Sequence, residues 1–247
     1  MKTILLIGGS GTLGQTILPM LLEDKSVSRV RVLSRGEHKQ VEMERKFKGA
    51  RIDFLLGNVC DHRRMKVACR GVDEVYHFAA IKHVHKAEYD PREAVQTNII
   101  GTMNIIEACI ENKIKKAMFT STDKSVSPIN LYGATKKCAE LLWINGNIGS
   151  HDTKFAAVRY GNVWESAGSV AGVWKEQAQK GEQIEVTSPE MTRFFFTPKE
   201  AAEFVLNGME VMNGGEVFLP KMKSSSLLSL VQAYEKPYKV IGRRPGE

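Results

Sequence analysis

The chain has 247 residues, 43% of them apolar, with a formal net charge of +7; that suits one large domain, or a domain plus a lobe, with a sizeable core. The basic residues are scattered, so the charge reads as a solvated basic surface or a basic cleft for phosphate-bearing small molecules, not as a nucleic-acid interface. Cys60, Cys69, Cys109 and Cys138 form no CxxC pair, which excludes a disulfide framework and a cysteine zinc site and fits a reducing compartment. His83 and His85 alternate in sequence without an evident third ligand, so no metal is expected.

Thr3 to Ile7 reads as the first strand, apolar throughout and therefore central in a parallel sheet. The run is too short for a signal peptide or a membrane span, and a soluble, cytoplasmic protein with no membrane contact is expected. Gly8-Gly9-Ser10-Gly11-Thr12-Leu13-Gly14 follows and opens a helix from Thr12 to Leu22. Glycines let the backbone turn tightly against a pyrophosphate, and the helix start offers N–H groups and a positive dipole end. Between a strand and a helix the pattern is specific, and Gly8, Ser10, Gly11, Thr12, Leu13 and Gly14 are candidate dinucleotide contacts.

Arg29 to Leu33 is the second strand, ending in Ser34-Arg35 with Lys39 nearby. A dinucleotide fold often carries an acid here for the adenosine ribose. A guanidinium instead suits a 2′-phosphate, so NADP is expected, with Ser34, Arg35 and Lys39 around it. Arg51 to Leu56 is the third strand, and Gly57-Asn58-Val59-Cys60-Asp61 leads into a helix. Asp73 to Phe78 holds the fourth strand. Ala79 and Ala80 are small enough for a cofactor to lie close, and Lys82-His83-Val84 sit in the loop beyond. A long helix runs from Pro91 to Asn112 with Asn98, Gly101 and Thr102 inside it.

Lys115 to Ser121 is the fifth strand and leads into the centre of the chain. Thr122, Asp123 and Lys124 place a hydroxyl, a carboxyl and an amine at its end. The helix from Leu131 to Asn145 carries Tyr132 and Lys136 on one face. An ammonium beside a phenol favours the phenolate, so Lys136 is expected to lower the Tyr132 pKa. A further strand spans Lys154 to Arg159. Tyr160 to Val163 and Ser166 to Ser169 read as loop, and a helix follows to Lys180. Gln183 to Val186 is a short strand, and Met191 to Phe196 is an exposed mixture of arginine and aromatics. A helix opens at Pro198 and ends near Gly214. Glu216 to Leu219 is a strand, Leu227 to Tyr234 a helix, and Tyr238 to Ile241 the last segment. Strands alternating with helices imply an α/β doubly wound parallel sheet of the Rossmann type. Residues 1–160 are expected to form the NADP-binding domain with the catalytic residues. Residues 161–247 are expected to form mostly a small C-terminal substrate-binding lobe, interleaved with the sheet.

The glycine loop, Tyr132-x-x-x-Lys136 and Tyr160-Gly161-Asn162-Val163 resemble the extended short-chain dehydrogenase/reductases. Four stretches resemble, within them, the inverting UDP-N-acetylglucosamine 4,6-dehydratases of polysaccharide biosynthesis. They are Ala80 to Val84, Ser121 to Lys124 with Asn130 to Lys136, Arg159 to Val163, and Met191 to Phe194. The resemblance spans essentially the whole chain, and Asp123-Lys124 is its most specific part.

What the resemblance implies is an internal redox cycle through bound NADP on a UDP-sugar. Tyr132, assisted by Lys136, takes the 4-hydroxyl proton while C4 gives up a hydride. Lys124 is the candidate base at C5, Asp123 the candidate acid for the departing 6-hydroxyl, and Thr122 holds the 4-hydroxyl. Asn58 and Val59 lie at the adenine, with Asn58 where the family has an aspartate. Ala79, Ala80, Lys82, Tyr132 and Lys136 face the nicotinamide. Lys82, His83, Asn162, Ser169, Arg193, Arg244 and Glu247 are the candidate substrate contacts, Asn162 and Arg193 at the diphosphate and Arg244 and Glu247 towards the uridine. Family members continue past the position of Glu247, which bears on the uridine contact. A homo-oligomer paired through the helices starting near Pro91 and Leu131 is also implied. A nucleotide-sugar epimerase or reductase of the same fold would leave Lys124 idle. A non-catalytic NADP-binding regulator is the third reading.

Overall fold

The computed structural model describes residues 1–166, 168–243 and Gly246. Seven parallel strands form the main sheet: β1 (Lys2–Ile7), β2 (Val27–Ser34), β3 (Ile52–Leu56), β4 (Glu74–His77), β5 (Lys116–Thr122), β6 (Lys154–Tyr160) and β10 (Val217–Phe218). Their spatial order is β10-β6-β5-β4-β1-β2-β3. The order reverses between β1 and β4, so their carboxyl ends diverge and leave a crevice at the glycine loop.

The sheet separates two cores because side chains alternate along each strand. Leu5 and Ile7 of β1, Phe119 of β5 and Phe155 of β6 join one core. It is covered by α3 (His62–Ala68), α6 (Gly101–Glu111) and α7 (Leu131–Asn145). Ile4, Leu6, Met118, Ala156 and Val158 join the other, under α1 (Thr12–Glu23) and α9 (Pro198–Val211), with Met43 of α2 (Glu37–Lys46) at its edge. Trp143 anchors α7: its Nε1 donates to Ala156 O at 3.0 Å, and its ring packs on Phe119 and Phe155. Asp61, Asn130 and Thr197 cap α3, α7 and α9, and the last is a full capping box with Glu200.

The long helix expected from Pro91 is not uniform. α5 (Pro91–Val95) passes into a π-turn over Gln96–Ile100 before α6. Such a turn shifts the following side chains round the axis, and here it brings Asn98 against the Ile81 backbone. Sequence patterning missed α2 and α4 (Val84–Tyr89), which are short and polar.

The remaining segments form a smaller layer over the carboxyl edge. β7 (Asn162–Val163) pairs parallel with β9 (Thr192–Phe196), and β11 (Ser224–Ser226) pairs antiparallel with β9. β8 (Ile184–Val186) pairs with β12 (Tyr238–Val240). α8 (Val170–Gln179) and α10 (Leu227–Gln232) close a third core around Trp174, Ile184, Val186 and Leu227. The stretch expected as loop from Tyr160 to Val163 thus contains a strand, and the mixed stretch from Met191 to Phe196 contains another. β7 and β9 form because Gly161 brings the chain against Phe194, where no side chain at 161 would fit. Among the described residues no helix is long and apolar enough to cross a membrane.

Candidate active site

One cleft of about 1800 Å³ runs from the glycine loop, over the ends of β5 and α7, to β9 and α8. That exceeds the roughly 300–1,000 Å³ of a drug-sized pocket and has room for a dinucleotide and a second nucleotide together. It is lined by Gly8, Ser10, Gly11, Thr12, Leu13, Gly14, Ser34, Arg35, Lys39, Val59, Ala79, Ala80, Lys82 and His83 of the expected set. Thr122, Asp123, Lys124, Tyr132, Lys136, Asn162, Ser169 and Arg193 line the same cleft. Asn58 is exposed and not on the wall; its Oδ1 accepts from Cys60 N at 3.1 Å. Arg244 and Glu247 lie outside the described residues.

The glycine loop fits a dinucleotide on geometry alone. Gly8 has φ +81°, and a Cβ there would come within 2.7 Å of Ala79 N. A side chain at Gly14 would strike the Gly9 carbonyl. Gly11 is the N-cap of α1 and no side chain caps it, so the helix start faces the cleft as an anion site. Gly8→Ala is expected to cost at least about 1–2 kcal/mol from the left-handed backbone alone. The check is thermal unfolding, where each kcal/mol is worth about 2–4 °C in a chain of this size; an unchanged midpoint would contradict the cradle geometry.

Past β2, Ser34 is buried, and its Oγ accepts from Gln40 Nε2 at 2.9 Å. Arg35 and Lys39 are exposed on the cleft rim and have no carboxylate partner among the described residues. Burial pushes the Lys82 pKa down, and the charge of Lys39 adds to it, so the two amines are near neighbours. Burial likewise lowers His83, with Lys82 and His85 contributing.

At the end of β5 a chain of polar contacts crosses the cleft floor. Tyr132 shares a hydrogen bond with the Thr122 side chain. Thr122 Oγ1 donates to Asp123 Oδ1 at 3.0 Å, and Lys124 Nζ donates to the same oxygen at 3.0 Å. Lys124 Nζ also donates to Asn162 Oδ1 at 2.9 Å. A single turn of 3-10 helix, Asp123–Ser125, presents these side chains. Ser125 Oγ holds it by donating to Thr122 O at 2.7 Å. Gly133 allows α7 to start against the turn, since a side chain there would meet the Lys124 carbonyl.

The Tyr132–Lys136 pair corrects one expectation. Burial pushes Tyr132 up to about 12, against a downward pull from Thr122, and Asp123 adds to the rise. Lys136 is pushed down to about 7 by burial, opposed by Glu140. Its Nζ donates to Thr120 O at 2.7 Å and lies 3.8 Å above the Phe119 ring. The amine is therefore held towards the sheet, and desolvation outweighs its effect on the phenol. At rest burial favours the neutral phenol of Tyr132 and weakens the hold of Lys136 on its proton.

Beneath the site lies a buried carboxylate that sequence reasoning passed over. Glu140 is 2% exposed, and Arg159 Nε and Nη2 pair with its two oxygens. Ser125 Oγ also lies 3.4 Å from it, its one proton already directed at Thr122 O. Its spacing from Tyr132 and Lys136, two turns and one turn of α7, was the available signal. Asn98 is the second such residue. It accepts from Ile81 N, donates to Ile81 O and to Thr135 Oγ1, and so ties the Ala79–Ile81 loop to α7.

A doubly wound parallel sheet, a glycine turn after β1, and tyrosine and lysine one helical turn apart after β5 define an extended short-chain dehydrogenase/reductase. That class works through a nicotinamide coenzyme. The chain belongs to the polysaccharide biosynthesis protein family, whose pattern residues 4–247 match. A UDP-N-acetylglucosamine 4,6-dehydratase (inverting) of Campylobacter jejuni subsp. jejuni is 42% identical over 251 residues, 100% of this chain and 75% of that protein. A UDP-glucose 4-epimerase of Rickettsia rickettsii is 34% identical over 257 residues, again 100% of this chain and 75% of that one. The X-ray structure of Pen from Bacillus thuringiensis has a TM-score of 0.96 at 40% identity, covering 100% of this chain and 81% of that one. The relatives include both dehydratases and epimerases.

Proposed function

We propose that the protein is a nucleotide-sugar 4,6-dehydratase that converts UDP-N-acetylglucosamine to a UDP-4-keto-6-deoxy-hexosamine with inversion at C5, using NADP. The observation that carries this is the Asp123–Lys124 pair, joined through Asp123 Oδ1 at 3.0 Å and linked by Thr122 to Tyr132. An epimerase needs the oxidation centre alone. A 4,6-elimination needs, beside it, a base for C5 and an acid for the 6-hydroxyl.

The residues divide the proton work as follows. Tyr132, once its own proton has passed to solvent, takes the 4-hydroxyl proton as the phenolate, and Thr122 holds that hydroxyl. The resulting 4-ketone acidifies the C5–H bond, and the Lys124 amine takes that proton. Asp123 gives a proton to the 6-hydroxyl, which leaves as water and leaves a C5=C6 double bond. A proton then returns to C5 on the opposite face as C6 is reduced, and the two protons taken by Tyr132 and Lys124 balance those given to the 6-hydroxyl and to C5. A bound nicotinamide coenzyme supplies the acceptance of hydride from C4 and its return to C6, so no second substrate is consumed. Gly8, Ser10, Gly11, Thr12, Leu13 and Gly14 would hold its pyrophosphate, Val59 its adenine side, and Ala79, Ala80, Lys82, Tyr132 and Lys136 its nicotinamide side. Arg193 is the candidate for the substrate diphosphate. It has no carboxylate partner among the described residues, and its guanidinium rests on Thr192 O and Met191 Sδ.

Ser34, Arg35 and Lys39 support NADP over NAD, because two cations without acidic partners suit a 2′-phosphate. Arg35→Ala is expected to weaken NADP by about 1.5–3 kcal/mol, roughly ten- to hundred-fold, with NAD nearly unaffected. Fluorescence titration of both coenzymes checks this, and equal loss for the two would remove the assignment. The function itself is tested by incubating the protein, without added coenzyme, with UDP-N-acetylglucosamine and identifying the product by NMR. A 4-keto-6-deoxy sugar is expected; a 4-epimer would move the chain to the epimerase reading.

A further inference from the structure

We propose that Trp164 is the apolar wall that keeps water from C6 of the sugar once the 6-hydroxyl has left, a role that rests on the dehydratase reading above. Asn162 Oδ1 accepts from Lys124 Nζ at 2.9 Å, so the start of β7 faces the Asp123–Lys124 pair. The chain stays extended past β7. Trp164 N donates to Phe196 O at 2.7 Å, which carries the pairing with β9 one residue further. Side chains alternate along such a chain. Val163 turns to the core under α1 and α9. Asn162 and Trp164 share the other side, and both line the cleft. Residues two apart on a strand are separated by about 6.6 Å, the scale of a sugar ring. The indole therefore stands beside the groups that act at C5 and C6.

The ring is held in place. It packs edge-on against Phe195, with centroids 5.3 Å apart and planes at 77°. Behind it, Ser166 N donates to Val163 O at 3.3 Å, and Glu165 pairs with Lys175 of α8 at 3.0 Å. The chemistry needs such a surface at this point. Elimination leaves a C5=C6 double bond conjugated with the 4-ketone, and C6 is its electrophilic end. Hydride delivered to C6, with a proton to C5, gives the 6-deoxy product. Water competes for the same carbon. Its oxygen bonds to C6, one of its protons passes to solvent, and C5 takes a proton, which rebuilds the 6-hydroxyl. Hydride then returns to C4, and the starting sugar is recovered with a solvent oxygen on C6. Asp123 and Lys124 are polar and hold water readily, so exclusion falls to the apolar side of the site. An indole offers a large, rigid, flat surface for this. Its removal opens more than the roughly 30 Å³ that one water occupies.

The test counts how often water wins. Wild type, Trp164→Ala and Trp164→Phe are incubated with NADP and UDP-N-acetylglucosamine in water labelled with heavy oxygen. The NMR isotope shift at C6 reads heavy oxygen on the 6-hydroxyl of recovered substrate, and the same spectra give the amount of 4-keto-6-deoxy product. In Trp164→Ala the ratio of labelled substrate to product is expected to rise about tenfold, the lower end of what burying one large apolar side chain is worth. Trp164→Phe keeps an apolar ring and is expected to hold the ratio near that of wild type. Trp164→Gln, with a polar amide in place of the ring, is expected to raise it as alanine does and serves if alanine impairs folding. A ratio that stays constant in Trp164→Ala and Trp164→Gln, whatever happens to KM, would overturn the proposal, as would a ratio that rises as far in Trp164→Phe. Wild type that forms no 4-keto-6-deoxy sugar would instead overturn the dehydratase reading, and the role of Trp164 with it.

Discussion

Tyr132→Phe is expected to cut turnover by about 10²–10⁴-fold, the usual contribution of a positioned acid–base group. The loss should appear at the first step, with neither reduced coenzyme nor C5 exchange on mixing with UDP-N-acetylglucosamine. The fold should survive, because the ring stays and only the hydrogen bond to Thr122 is lost. Thr122 keeps its bond to Asp123 at 3.0 Å. The pH profile carries the same point. Burial holds Tyr132 up at about 12 and Lys136 down at about 7. Loss of one proton from the pair gives the neutral phenol with a neutral amine or, at the same net charge, the phenolate with the ammonium. The rate is expected to rise as pH rises through the Lys136 pKa and then to level off. A Tyr132→Phe protein that retained more than about a tenth of the wild-type rate would remove Tyr132 from the mechanism.

Glu140→Ala is expected to have the largest effect on stability, about 3–5 kcal/mol, because it strands the Arg159 guanidinium in a buried site. That is a large part of the roughly 5–15 kcal/mol that holds a typical domain folded. Urea unfolding measures it, and a loss below about 1 kcal/mol would show the pair to be inessential. The carboxylate joins α7 to β6 through Arg159 and lies against Ser125 of the 3-10 turn, so it braces both sides of the Asp123–Lys124 pair. Burial raises its pKa, but hydrogen bonds from Arg159 and Ser121 more than reverse that, and it lies below the ordinary 4.5. A depressed carboxylate stabilises the fold fully above its unfolded pKa and loses that contribution as pH falls through its folded value. Acid should therefore loosen this network below about pH 4.5.

The sequence made the sheet legible because its strands are apolar runs punctuated by glycine and small residues, and the parallel order follows from strand–helix alternation. The oxidation centre was legible too, since Tyr132 and Lys136 lie one helical turn apart on α7. What was not legible depends on contacts between distant segments. β7 and β9 are short and mixed in character, and they exist because Gly161 lets one backbone reach the other. The π-turn that aims Asn98 at Ile81 leaves no mark in the helical pattern of Pro91 to Asn112. The pKa of Tyr132 was misjudged for a similar reason. Spacing on a helix shows that two groups share a face, but only the packing shows that Lys136 is drawn to Thr120 O and that burial dominates both. Asn162 is the clearest case: its partner Lys124 is 38 residues away in the chain.

The most direct test of the 4,6-dehydratase assignment is turnover of UDP-N-acetylglucosamine in deuterated water, read by NMR at C5 of the product. A 4-keto-6-deoxy sugar carrying deuterium at C5 in the inverted configuration is the predicted result. A product that keeps its original hydrogen and configuration at C5, or one altered only at C4, would contradict it.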